Sequence, residues 1–276
     1  MIVANDEALL RALVEALSPV PGIAAIALGG SRSRGAATAA SDYDIGLYYR
    51  ADQPIDVTAL SEVAARLDDR GAAAEVTPLG GWGPWIDGGG WLVVGGVQID
   101  LLYRNLDRVA VAIEDAHAGK VERHYQPGHP HAFVPAIYMG EVAYAQALHD
   151  PEGVLAGLQE RTKPYPSALA QALRRTFGWE AGFALANARR SLDRGDVSYL
   201  AGCVFRAVSC LCQLLFALNG VYLLNEKGAV AGAEALTQRP ADFAQRVAGL
   251  YRQLGNGRHA AALDRLERLV GEAGSL

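Results

Sequence analysis

The chain has 276 residues, 51% of them hydrophobic and 20% charged, with 31 glycines. That is the composition of an ordinary globular protein rich in turns, and it excludes the disordered and fibrous classes. A formal net charge of −5 argues against a grip on bulk nucleic acid through phosphate charge, while leaving room for a local basic pocket that holds one triphosphate.

The length exceeds that of one typical domain and predicts two, either with interior enough for a real core. Residues 6 to 17 place Leu9, Leu10, Leu13, Val14 and Leu17 at helical spacing, and Ser18-Pro19-Val20-Pro21-Gly22 stops the helix. Asp6, Glu7 and Glu15 are unlike the basic start and clean apolar run of a signal peptide, so the expected location is cytoplasmic. IAAIAL, residues 23 to 28, has the length and apolarity of a buried strand closed by Gly29-Gly30, and Ser31 is expected to cap a short helix. DYDIGLYY, 42 to 49, reads as a second strand. Thr58 to Asp69 reads as a helix with Thr58 as its cap and Gly71 as its stop. A strand near Ala74 to Leu79 precedes a long glycine-tryptophan loop, Gly80 to Gly90; WLVV and VQIDLLYR then flank Gly95-Gly96 as a tight hairpin.

From about Leu106 the pattern turns helical, apart from HYQPGHPHAFVP, whose prolines, glycine and histidines suit a crossing between domains. Helices are expected at 135–148, 151–161, 166–194, 197–219 and 259–271. The nearly uncharged stretch from Val197 to Leu224 contains Arg206, Gln213 and Asn219, which favours a helix buried in a helical domain over a membrane span. Cys203, Cys210 and Cys212 lack the spacing of a zinc site or a disulfide framework and read as buried thiols. The expected class is α+β: a sheet-bearing domain over residues 1–131 and an all-helical domain over 132–276.

The candidate chemistry lies in LGGSRSRGAATAASDYDIGLYY, residues 28 to 49. Strand side chains alternate faces, so Asp42 and Asp44 point the same way, and two ionised carboxylates side by side repel unless a cation neutralises them. Hard divalent ions such as Mg²⁺ choose carboxylate oxygens plus substrate phosphates. Asp100, in VQIDLLY, sits on a strand of the same sheet; if that strand lies beside the first, three carboxylates converge, enough for two metal ions about 4 Å apart. Gly29, Gly30 and Ser31, at a strand-to-helix corner, would offer N–H groups and a hydroxyl to a phosphate, with Arg32 or Arg34 close by or left on the solvated surface. His124, His129 and His131 lack helical metal-ligand spacing and read as loop or acceptor-contact residues. Trp82, Trp85 and Trp91 cover the sheet edge or stack on a ring.

These residues resemble the signature of the nucleotidyltransferase superfamily that includes DNA polymerase beta and the antibiotic nucleotidyltransferases. An apolar residue and two glycines (Leu28-Gly29-Gly30), a gap of eleven residues, acid-apolar-acid-apolar (Asp42-Tyr43-Asp44-Ile45) and a later acid (Asp100) fall in order over roughly residues 23 to 104. The resemblance implies a nucleotidyltransferase fold, a small mixed β-sheet flanked by helices, followed by an all-helical bundle. It implies that Asp42 and Asp44 bind the metals, two Mg²⁺ ions, that Asp100 completes the site, and that Ser31 meets the phosphates of ATP. The helical half is similar in layout to two-domain antibiotic nucleotidyltransferases, which makes Glu141, in IYMGEVAY, the counterpart of the general base. Lys227, in LLNEKG, follows a long apolar helix in a short polar turn, where a lysine is expected to reach the triphosphate as a point charge. The implied reaction moves AMP from ATP to a hydroxyl of a small, aminoglycoside-like acceptor, with no bulk nucleic acid and no membrane as partner. The alternatives are a protein or RNA acceptor, or a nonenzymatic nucleotide-binding or antitoxin-like protein.

Overall fold

Leucines at helical spacing open the chain in α1 (Ala4–Leu17), and the four apolar residues of β1 (Ala25–Leu28) are all buried. The structure, a computed structural model, describes residues 4–35, 38, 41–71 and 75–276. After β1 come α2 (Gly30–Ser33), β2 (Tyr43–Tyr49), α3 (Val57–Leu67), β3 (Glu75–Val76), β4 (Gly89–Val94), β5 (Val97–Asn105) and α4 (Leu106–His117). They are followed by α5 (Ala136–Tyr144), β6 (Gln146–His149), α6 (Val154–Glu160), α7 (Ser167–Arg190), α8 (Val197–Leu218), α9 (Ala229–Glu234), α10 (Phe243–Gly255) and α11 (His259–Gly274). The protein is α+β, as the sequence leads one to expect.

Two compact units divide these elements: Met1–Glu114 with Gln126–Gly128 and Tyr138–Pro164, and Asp115–Tyr125 with His129–Ile137 and Tyr165–Leu276. The units interleave in sequence between 115 and 165, around the single boundary at 131 that the pattern suggests. In the first unit the strands form one mixed sheet in the order β3-β4-β5-β2-β1-β6, with β2 and β5 parallel and every other pair antiparallel. Alternation sorts the side chains. Tyr43, Ile45 and Leu47 of β2 and Ile99, Leu101 and Tyr103 of β5 are buried on one face, together with Leu10, Leu13 and Leu17 of α1 and Leu60 of α3. Each such Leu or Ile contributes about 1.5–3 kcal/mol by leaving water, which fixes the register, because a slip of one residue would turn the whole set outward.

Several elements depart from expectation. The helix expected over 135–148 ends at Tyr144, and residues 146–149 form β6 on the outer edge of β1; the pairing offered by that edge outweighs the weak local preference of Gln-Ala-Leu-His. The cap of α3 is Asp56, whose Oδ1 accepts from the N–H groups of Thr58 and Ala59 at 3.0 Å, and not Thr58. The strand expected from Ala74 to Leu79 is only Glu75–Val76, and Ala74 lies outside the described residues. The glycine hairpin is present, with Val94 opposite Val97.

In the second unit α7 packs on α8, and α11 on α7 and α10. Helix α8 is long and apolar enough to cross a membrane, yet 67% of its most apolar window is buried inside the protein. Helix α10 was not expected, although Phe243, Val247, Leu250 and Leu254 all face its core.

Candidate active site

The turn from β1 into α2 is built against β2. The Gly29 N–H donates to the Asp44 carbonyl at 2.8 Å, and Gly29 takes the cap position of α2 without a side-chain bond, so Ser31 lies inside the helix and is not its cap. Gly30 has φ +64°, and a β-carbon there would fall 1.7 Å from Oδ2 of Asp44. Only glycine lets the carboxylate lie against this backbone. Gly30→Ala is therefore expected to displace the Asp44 side chain and cost about 1–2 kcal/mol of stability, measured by a melting curve.

The parallel register sets Asp44 of β2 directly opposite Asp100 of β5, both half-buried. Directly paired residues share a sheet face about 4.8 Å apart, so the two carboxylates stand side by side. On the other side of β5, Trp91 is opposite Asp100 and therefore on that same face; its ring stacks on Trp82 at 4.6 Å between centroids and is 43% exposed. Asp42 stands just ahead of β2 and is exposed.

Arg32 is engaged in holding this strand start. Its Nη2 and Nε donate to the Ser41 carbonyl at 2.7 and 3.2 Å, and Nε also donates to the Asp42 carbonyl at 3.2 Å. The guanidinium lies 3.7 Å over the Tyr43 ring and 3.6 Å from Asp6. Arg34 is exposed, with Nε on the Gly30 carbonyl at 3.1 Å. The oxygen set of Asp44 and Asp100, with a glycine held against one of them, has the donor chemistry a hard divalent cation takes.

Farther along the same face Tyr48 is opposite Arg104. Arg104 is 5% exposed, and its Nε and Nη2 donate to the two oxygens of Glu141 at 2.7 and 2.8 Å, with the guanidinium 5.7 Å from the centre of the Tyr138 ring. Burial opposes the charge of Arg104, but attraction to Glu141 prevails and raises its pKa. Burial also lifts the Tyr48 phenol above its usual range. Glu141 thus shares a face with Asp44 and Asp100, but both of its oxygens are occupied by an arginine. Nothing but parity with Asp100 in VQIDLLYR signals Arg104 in the sequence.

That pairing gives a discriminating experiment. Glu141→Ala leaves a buried guanidinium without its partner, which costs about 3–5 kcal/mol and lowers the melting temperature. A fall in kcat with an unchanged melting curve would instead assign Glu141 to proton transfer.

The second unit holds Lys227, exposed in the turn before α9, with its N–H on Oδ1 of Asn225 at 2.8 Å. It also holds the histidines. His131 Nε2 lies 3.6 Å from Oε1 of Glu180 and 3.6 Å from Sγ of Cys210, and ligand-type atoms of these three residues lie within 4.8 Å of one another. Glu180, 1% exposed, is also paired with Arg206 at 2.5 Å and with Arg123. Burial pushes its carboxyl up, but His131 and the two guanidiniums outweigh this and hold it at about 2. Two arginines already balance that charge, so the trio reads as a buried ion-pair network. Burial pushes the Cys210 thiol up, which suits a neutral thiol.

The first unit thus joins a mixed sheet, two opposed acids and a double-glycine turn. Residues 9–77 match the family described as Nucleotidyltransferase domain, and residues 133–227 match a domain of unknown function, DUF4037. The first match supports a nucleotidyltransferase enzyme, and it spans Gly29, Gly30, Asp42 and Asp44. Such domains generally use a nucleoside triphosphate and a divalent metal. Among solved structures the chain is similar to a nucleotidyltransferase-like protein from Exiguobacterium sibiricum 255-15, at 15% identity and a TM-score of 0.42, over 97% of this chain and 76% of that one. No curated protein matches the chain.

Proposed function

We propose that the protein transfers a nucleoside monophosphate, AMP from ATP, to a hydroxyl of a small cytoplasmic acceptor, with an aminoglycoside-like polyol as the first acceptor to test. The observation that carries the reading is the opposed register of Asp44 and Asp100 beside the Gly29-Gly30 turn. Asp42, Asp44 and Asp100 would hold two Mg²⁺ ions, which supply charge stabilisation at the α-phosphate and the leaving pyrophosphate.

The rest of the chemistry belongs to the chain. A carboxylate takes the proton of the acceptor hydroxyl, the acceptor oxygen bonds to the α-phosphorus, and the bond from that phosphorus to the pyrophosphate oxygen breaks. Arg32 acts as a positioning residue by fixing the carbonyls of Ser41 and Asp42. Gly30 and Ser31 line the corner where phosphate would lie, Arg34 is the cation assigned to the triphosphate, and the Trp91–Trp82 stack offers a platform for the base. The net acidic balance, −5, suits a polycationic acceptor.

The test is pyrophosphate release from ATP and Mg²⁺ with and without a panel of aminoglycosides, other polyols, tRNA and protein hydroxyl acceptors. Release stimulated by a small polyol supports the reading. Stimulation by RNA or protein alone, or none by any acceptor, overturns it.

A further inference from the structure

The helical unit contains a chamber of about 210 Å³, apart from the acids of the sheet. Helix α8 presents one stripe to it, Phe205, Val208, Ser209, Cys212 and Gln213, at the three- and four-residue spacing of a single helix face. Tyr251 of α10, Glu226 of the turn before α9 and His131 add to its polar lining.

Two of the polar groups here are unusual for a core. Ser209 is 7% exposed and Gln213 8% exposed, and neither side chain makes a hydrogen bond within the protein among the described residues. Both line the chamber, so their polar atoms are left to whatever occupies it. Glu226 is different. Its Oε1 accepts from the N–H groups of His131 and Ala132 at 2.9 and 3.2 Å, and Oε2 lies 3.2 Å from Nδ1 of His129. Burial pushes its carboxyl up, but these bonds prevail and lower its pKa, so it brings a fixed negative charge to the wall.

We infer that this chamber is a binding site for a small planar heteroaromatic amine, whose N–H donors meet Glu226 and the Gln213 carbonyl and whose ring nitrogen accepts from Ser209 or the Gln213 amide. The size agrees: a cavity of about 150 Å³ takes benzene, and one of 210 Å³ takes a fused bicycle. The apolar members of the α8 stripe supply the burial such a ring requires, and a few convergent polar groups supply its orientation. The site does not rest on nucleotidyl transfer.

The probe is 2-aminobenzimidazole, titrated calorimetrically into the full-length protein, with indene as the ring of matching shape that lacks every hydrogen-bonding atom. One probe per chain is expected to bind with a submillimolar dissociation constant, and indene at least tenfold more weakly. Gln213→Leu is expected to weaken the probe about tenfold, or about 1.4 kcal/mol, in a protein that melts normally. Ser209→Ala is expected to weaken the probe severalfold in a protein that melts normally. Absence of binding at millimolar probe, equal affinity for indene, or undiminished affinity in Gln213→Leu overturns the inference.

Discussion

Asp44→Asn and Asp100→Asn are each expected to lower pyrophosphate release by about 10³-fold, a loss of about 4 kcal/mol in transition-state stabilisation, with Asp42→Asn close behind. The two carboxylates stand opposite each other on adjacent strands, and like charges so placed destabilise a sheet. Removing one should leave the melting temperature of the metal-free protein unchanged or slightly higher. Mg²⁺ should stabilise the wild type in proportion to its occupancy and should do so far less in either variant. The checks are a pyrophosphate assay and melting curves with and without Mg²⁺. Variants that retain wild-type release, or that are stabilised by Mg²⁺ as strongly as the wild type, would remove these acids from the site.

Glu180→Ala is expected to destabilise the helical unit by about 2–3 kcal/mol. Removing one partner of a fully buried pair costs about 3–5 kcal/mol, but here the guanidinium side chains of Arg123 and Arg206 are 39% and 56% exposed and regain hydration. The pH dependence has a definite sign. The folded carboxyl of Glu180 titrates at about 2, against an ordinary value of 4.5. Its contribution is therefore complete above pH 4.5 and is lost as pH falls toward 2. The stability gap between wild type and Glu180→Gln, measured by urea unfolding, should be widest near neutrality and narrow steadily below pH 4.5. A gap that stays constant down to pH 3 would show that the ion pairs contribute nothing.

The sheet face that carries Asp44 and Asp100 was legible because period two is a strong local signal: both alternate with apolar residues in their strands, Asp42 stands just ahead of β2, and Gly29-Gly30 marks the corner before them. Which strands lie side by side is not local. The parallel pairing of β2 with β5, which brings Asp44 to Asp100, is a tertiary fact. The same holds for β6, whose four residues carry no strand signature and are ordered by the free edge of β1. Glu141 shows the limit most clearly. Its order in the chain suggested a base, and only the fold reveals that Arg104 holds both of its oxygens. Ser209 and Gln213 looked like incidental polar residues on an apolar helix, since nothing in a sequence indicates that a side chain lacks a partner.

Because β6 is drawn from residues 146–149, after the chain has already contributed 115–125 and 129–137 to the other unit, the sheet cannot be isolated by cutting where its composition appears to end. A fragment stopping at residue 131 would strip one flank of β1 and leave its N–H and C=O groups open, an adhesive rim of the sort that recruits foreign strands. The late strand thus serves as a seal, and it makes completion of the catalytic sheet wait until the ribosome has delivered residue 149.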